Sequence, residues 1–522
     1  MHSELVYLDG SLVTAHVDEA TDVLVVGTGA GGASTASVLS EAGLLVTMVE
    51  EGPYVTGARM TGKPLDMFKL LYRNGGLTGT MGLPPISVPL GRCVGGTTTV
   101  NSGTCYRAPA SVLQRWETEF GVEEATQLAP HYDEVQADIG IKPVPDEWFG
   151  PHARRFQAAT EAMGYKGSRI PRNEKGCVAT GVCALGCPQD GKQAMSVSYV
   201  PRAIAAGARL FTNARVDQIL FDGDTAIGVR GRFLTEDGAE TGRTFRVLAR
   251  HVVVAAGALH TPALLLRSRL PVTLPRLGRN LHLHPATRVL ARFADDVNGW
   301  GEVPQSYNVD QFVEDGIFIQ GQFVPPAVQS PNVPGVGLAH QARMEAFQKI
   351  GSFGALISDV SSGRVFANGL AWYRLNRVDT EKLRRAIALT AEIFLRADAR
   401  EVYTGIRGQA IVRNQADLNR LQTMTVKATD IEMMAFHPMG TCAIGKTGAQ
   451  GVTDAYGRVF GVRNLSVADT SLFPTSNKVN PQFTLMALAV RNAKVLAGAL
   501  APSSKARLPM PDRERSSLSS SR

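Results

Sequence analysis

Residues 22–26 read DVLVV, a short β-branched apolar run of the kind that fills a buried parallel strand. Gly27-Thr28-Gly29-Ala30-Gly31-Gly32 follows, then small residues that predict a helix to about Leu44, then a second strand from Leu45 to Val49 ending at Glu50. Further along, residues 110–137 place Leu113, Trp116, Phe120 and Leu128 at scattered apolar positions and predict helix, and Pro201 to Ala206 opens another. From Leu210 to Val254 the pattern becomes strand and hairpin, with a turn at Asp237-Gly238, and the His251–Gly257 run predicts a second buried strand. The middle, 290–400, alternates strands with polar loops and holds one amphipathic helix after Asp379. No internal repeat is visible. The Ser/Pro/Arg-rich tail, 501–522, predicts disorder.

At 522 residues the chain is long enough for three or four domain-sized units, or for fewer discontinuous ones. Hydrophobic residues at 44% and charged residues at 19% are a globular balance. The net charge of +7 is spread along the chain without basic runs, so nucleic-acid binding is not expected. No run of 18 or more apolar residues predicts a spanning helix, and the first 20 residues, with Glu4, Asp9 and Asp18, do not resemble a signal peptide. The expected location is the cytoplasm, with export only alongside a partner subunit. Six cysteines are too few for a disulfide scaffold.

Gly27, Gly29 and Gly32 form G-x-G-x-x-G after a strand and before a helix. The first permits a tight turn, the second close approach of backbone amides to a pyrophosphate, and the third close helix–strand packing. The helix N-terminus then offers free N–H groups and partial positive charge to phosphates. Glu50, at the end of the second strand, is placed to hydrogen-bond a ribose hydroxyl. The turn alone does not separate NAD from FAD.

Gly91-Arg-Cys-Val-Gly-Gly-Thr-Thr-Thr-Val-Asn101 resembles the first signature of the glucose–methanol–choline oxidoreductase family, and Gly257–Ser268 (GALHTPALLLRS) its second. The match departs at Arg269, where the family usually has glycine. Val467-Ala-Asp469-Thr-Ser-Leu-Phe-Pro474 and Asn480-Pro-Gln-Phe-Thr484 complete a resemblance running from about 21 to 498, closest to bacterial alcohol dehydrogenase and oxidase-like members. It implies an α/β fold: an FAD-binding Rossmann-like domain and a discontinuous substrate domain with an antiparallel sheet. The corresponding division is FAD-binding segments at 20–110, 196–290 and 455–500, a substrate or cap segment with a Cys-rich loop at 111–195, and a substrate-binding segment at 291–454. Gly95 and Gly96 permit an amide-rich loop against the flavin, and Asn101 resembles a residue near the isoalloxazine. Val216 matches a strand-edge position whose backbone meets adenine in relatives, though it also reads as plain strand core. Asp469 and Asn480 fall in the C-terminal cofactor motif. Relatives with covalent flavin often carry histidine immediately before the signature asparagine; Val100 stands there, so FAD is expected to bind non-covalently.

Phe436-His437-Pro438-Met439-Gly440-Thr441 resembles the family's catalytic histidine motif, and Asn480 the position that is His or Asn in relatives. Imidazole suits the transfer of an alcohol O–H proton while hydride leaves for flavin N5, and an amide can hold the oxygen without titrating. The resemblance therefore implies oxidation of an alcohol to an aldehyde or ketone, with oxygen, a quinone or a redox protein as acceptor. A flavin-bearing lyase of the same fold, acting on a cyanohydrin-like substrate, is the alternative. His282 and His284 fall at period two, on one face if this is a strand; without a third ligand they read as structural or pocket-lining.

Cys177-x₅-Cys183-x₃-Cys187-Pro188 lies in a glycine-rich loop. Three thiolates suit an iron–sulfur cluster, and similar spacing occurs in iron–sulfur sugar dehydrogenases of this family. Buried thiols, a disulfide or zinc are the other readings, and long-chain alcohol oxidases carry a similar segment with no cluster implied. Cys93, Cys105 and Cys442 read as small packing residues. Trp300, Tyr307, Phe312, Phe318, Phe323, Trp372 and Tyr373 give the central region an apolar character, most of it read as ordinary packing, with a hydrophobic or bulky alcohol preferred as substrate.

Overall fold

In the computed structural model, which describes residues 7–500, the DVLVV run is the buried end of the strand Val17–Val26. Its parallel neighbours are Val46–Val49 on one side and the 15-residue strand Glu240–Val254 on the other. The register places Val25 beside Met48 and Val26 beside Val254. These residues are apolar on both faces because helices cover the sheet. Leu8–Asp9, Arg209–Thr212 and Leu465–Val467 extend it in parallel, and Thr225–Leu234 and Ala214–Asp222 extend it antiparallel, giving eight strands.

The helix Ala30–Glu41 follows the glycine turn and packs against Tyr199–Ala205 and the C-terminal helix Gln482–Leu500. The last is long and apolar enough, by length and composition, to cross a membrane; here much of it is core, from Gln482 to Arg491 without interruption.

A second core forms around a seven-stranded antiparallel sheet, in the order Ile411–Val412, Glu401–Tyr403, Val289–Arg292, Ile350–Ile357, Ile317–Gly321, Tyr307–Val309, Gly167–Arg169. The helix Arg377–Arg396 backs it, starting two residues before Asp379 because Asn376 caps it, its side chain accepting from Asp379 N–H at 2.8 Å. The fold is therefore α/β with a separate antiparallel sheet. A smaller sheet of four strands brings Thr80–Met81 beside Ala371–Trp372. The 111–195 segment divides, its first helices joining the first core and Pro151–Ala162 the second.

The expected helix over 110–137 is broken into Ala110–Arg115, a π-helical turn at Trp116–Phe120, a 3₁₀ turn at Ala125–Gln127, and Ala129–Ile139. Gly121, in the left-handed region at φ 76°, ends the first part, and Pro130 starts the last. The tail 501–522 lies outside the described residues.

Phe156 stacks on Phe353 with ring centroids 3.6 Å apart and meets Phe394 edge-on at 5.0 Å. Phe156→Ala should lower the unfolding free energy by about 3–5 kcal/mol, measured by denaturant titration.

Candidate functional site

One cavity of about 740 Å³ runs from the glycine turn to the antiparallel sheet. At its first end the turn is held by a buried carboxylate: Glu50 Oε2 accepts from Thr28 N–H at 3.0 Å and Thr28 O–H at 2.7 Å, and Oε1 from Gly52 N–H at 3.1 Å. Burial raises Glu50 above the ordinary carboxylate range. Thr28 Oγ1 in turn accepts from Gly95 N–H at 3.0 Å, tying the 91–101 loop to the turn. Gly29 begins the helix without a side-chain cap, and the first helical bond is Ala33 N–H to Gly29 C=O, so the cavity-lining Ala30 and Gly31 keep unpaired amides.

The glycines are explained by contact distances. A Cβ on Gly29 would meet nothing within 4 Å, so it would project into the cradle, whereas one on Gly31 would lie 1.8 Å from Ala468 C=O. A Cβ on Gly32 would strike Gly27 C=O at 2.1 Å, the close packing that the sequence assigns to it. Gly96, at φ 53°, stands across from Gly29, with 3.1 Å between its Cβ position and Gly29 Cα.

Gly27, Gly29, Glu50, Gly96, Asn101, Val216, His437, Asp469 and Asn480 all line this cavity, while Gly32 and Gly95 support it from behind. Asn101 is fixed by Gly103 N–H at 2.9 Å and by its own Nδ2 donating to Gln482 Oε1 at 2.7 Å. The Asp469 carboxylate accepts from Gly257 N–H at 2.9 Å and Ser471 N–H at 2.8 Å. Sequence reasoning missed Thr28, Gly31, Gln482 and the Glu51–Arg73 pair. Arg73 reaches both Glu51 oxygens, at 3.0 and 2.7 Å, and against a burial that would raise it holds Glu51 down at about 2.

At the far end His437 sits between two polar neighbours. Its Nδ1 is 3.4 Å from His284 Nδ1 and its Nε2 is 3.4 Å from Asn480 Nδ2. Burial first, and His284 second, lower the His437 imidazole well below its ordinary value, so the ring is neutral at pH 7. Burial also pulls His284 down to about 4. Asp359, buried behind them, accepts from Leu283 N–H at 3.0 Å, His284 N–H at 3.2 Å and Tyr373 O–H at 2.7 Å, and it lies 3.6 Å from His282 Nδ1. The strand before the two histidines ends at Leu281 and His284 has φ 54°, so the pair is not on extended strand. Of the seven aromatic residues from the central region, Phe323 alone lines the cavity; Trp300 and Trp372 are exposed and Tyr307 and Tyr373 are core.

The iron–sulfur reading of Cys177, Cys183 and Cys187 is not supported. Among the described residues no three His, Cys, Asp or Glu side chains converge as a metal site, and all six cysteines are free thiols. Two buried cations occupy the region instead. Arg172 Nη2 lies 3.6 Å from Cys183 Sγ, and Cys187 Sγ accepts from Lys192 N–H at 3.4 Å. Lys192 Nζ donates to the carbonyls of Thr99, Asn101 and Cys183 at 2.8, 2.6 and 2.9 Å, and burial brings it down to about 8. The segment is a strap under the 91–101 loop.

A dinucleotide-type glycine turn and an antiparallel sheet closing one cavity define a flavoprotein-type oxidoreductase. A family model described as GMC oxidoreductase matches residues 68–286 with its N-terminal part and 371–489 with its C-terminal part. The chain belongs to this family. It is 40% identical over 478 residues to an uncharacterised GMC-type oxidoreductase of Mycobacterium tuberculosis, covering 90% of this chain and 74% of that one. It is 29% identical to a long-chain-alcohol oxidase of Arabidopsis thaliana, covering 90% of this chain and 66% of the relative. Among solved structures, pyridoxine 4-oxidase from Mesorbium loti superposes with a TM-score of 0.69 at 19% identity, covering 91% of this chain and 99% of that one.

Gly29 and Gly31 separate cofactor binding from folding. Gly29→Ala, whose methyl enters only the cradle, should leave unfolding of the apoprotein within about 1 kcal/mol while weakening flavin binding at least tenfold. Gly31→Ala should destabilise the apoprotein itself by about 1–3 kcal/mol or more, because its methyl meets backbone. Flavin-to-protein ratios and apoprotein unfolding curves measure both.

Proposed function

We propose that the protein oxidises an alcohol, with FAD held non-covalently along the cavity and His437 as the base. The observation that carries this is a neutral imidazole pinned between His284 and Asn480 on the wall of a cavity whose other end is the glycine cradle. The fit to FAD is supported by the open space at Gly29, the unpaired amides after it, Glu50 beside the turn and the length of the cavity. FAD, when bound, supplies the hydride acceptor at N5.

The two 3.4 Å contacts determine where the proton on His437 belongs. Two Nδ1 atoms facing one another share one hydrogen, so one ring donates and the other accepts. If His437 Nδ1–H donates to His284 Nδ1, the lone pair of His437 Nε2 is left for an alcohol O–H. The Asn480 amide N–H points at that lone pair, and its Oδ1 is buried without a partner, so the amide has both a donor and an acceptor for the substrate oxygen. His284 is thereby a positioning residue: it fixes the tautomer and the ring plane. The names of relatives, a long-chain-alcohol oxidase and pyridoxine 4-oxidase, support an alcohol as the electron donor. Oxygen, a quinone or a redox protein is the proposed acceptor.

Val100 offers no nucleophile for a flavin linkage. Acid precipitation should therefore leave the yellow chromophore in the supernatant; colour retained in the pellet would contradict non-covalent binding.

Anaerobic addition of alcohols should bleach the flavin, and His437→Ala should slow that bleaching at least about 10²-fold with flavin still bound. Because the His437 pKa lies well below its ordinary value, the rate should be flat near neutral pH and fall only in acid, as the base is protonated. Turnover with flavin oxidised throughout would point to the lyase instead.

A further inference from the structure

The antiparallel-sheet end of the cavity carries a charge that no carboxylate among the described residues answers. Arg288 lines the cavity just before the strand Val289–Arg292. Its Nη1 donates to Asn332 Oδ1 at 3.2 Å, and its Nε is buried with no partner. Burial alone brings its guanidinium down to about 10, with no carboxylate contributing. Other arginines of this sheet region are answered: Arg292 and Arg413 both reach Glu401, at 3.2 and 2.8 Å. From Thr241 to Ala294 the chain contains no Asp or Glu. A desolvated guanidinium without a counter-charge is costly, and it persists here beside a cavity that a ligand can enter.

Nη1 is bonded to Asn332 and Nε is closed off from solvent, so Nη2, with the second Nη1 hydrogen, is the end of the fork left to meet the oxygens of a carboxylate. Ala286 connects this wall to the proposed base: its backbone pairs with Met434, three residues before His437. Arg288 lies two residues past Ala286, or about 7 Å along extended chain.

We propose that Arg288 anchors a carboxylate of the substrate, so that the alcohol oxidised here is a hydroxy acid whose carbinol and carboxylate are separated by a carbon chain. The carbinol half rests on the alcohol-oxidation reading; the anion half rests on Arg288.

The test compares ω-hydroxycarboxylates of increasing length with their methyl esters, using the FAD-loaded enzyme. The wild type should favour the acid at least about tenfold in kcat/KM, expressed mainly in KM. Arg288→Gln should collapse that ratio toward one, and Arg288→Lys, which keeps the charge and loses the fork, should retain part of it. Wild-type enzyme that oxidises acid and ester equally, or a preference that survives Arg288→Gln, overturns the proposal. Binding is measured separately by calorimetry with octanoate and octanamide, which need no turnover. Tighter octanoate binding that Arg288→Gln removes, in a protein whose flavin no alcohol bleaches, would keep the anion site and sink the alcohol reading. Equal binding of the two would sink the anion site.

Discussion

The Glu50 carboxylate is the constraint from which the cofactor half of the cavity follows. A buried carboxylate is tolerated when its lone pairs are filled, and here Thr28 and Gly52 fill them from the turn and from the chain just after the strand. Thr28 passes the link on to Gly95, so the phosphate turn and the 91–101 loop share one anchor. Once those two backbones are fixed, space decides the rest. Gly96 faces Gly29 so closely that a side chain on Gly96 would meet Gly29 Cα at 3.1 Å, and a Cβ on Gly31 would strike Ala468. The chain segments meeting there are hundreds of residues apart, which is why the N-terminal turn and the C-terminal motif form a single wall.

The histidine half repeats the device with a second buried carboxylate. Asp359 takes the amides of Leu283 and His284 and the hydroxyl of Tyr373, and that fixes the chain reversal which carries His284 toward His437. Asp379, also buried, takes Val360 and Ser361 N–H, seating the long helix behind the sheet. Backbone amides, rather than side-chain cations, neutralise most of this charge. The neutral pair His284 and His437 is therefore kept in low-dielectric surroundings where protonation is disfavoured.

The parts of this arrangement legible in the sequence were those with local signatures. The glycine turn, its two flanking strands and Glu50 lie within about 30 residues and follow from periodicity and backbone freedom. His437 and Asn480 could be paired through family resemblance, since nothing in a linear spacing of 43 residues implies a 3.4 Å approach. Period-two placement of His282 and His284 implies a shared face only in a strand, and that condition is not met where His284 adopts a left-handed conformation. The cluster reading of the cysteine spacing is unsupported for a different reason. The spacing matched a ligand run, but whether thiols converge depends on what the fold brings against them, and Arg172 and Lys192 arrive there with their own requirements. The break in the 110–137 helix is legible in Gly121 and Pro130, a stop and a start signal.

The cysteine loop meets the cavity wall through a lysine. Lys192 spends its three donors on Thr99, Asn101 and Cys183, joining that loop mechanically to the segment lining the cavity. Among the described residues, the cradle, His437 and Arg288 all open on one cavity. In the proposed reaction, a small acceptor would then reach the flavin by the route the alcohol uses. Alcohol oxidation and acceptor reduction would alternate in a shared space, and a carboxylate anchored on Arg288 would have to leave, or swing clear, before the acceptor could follow.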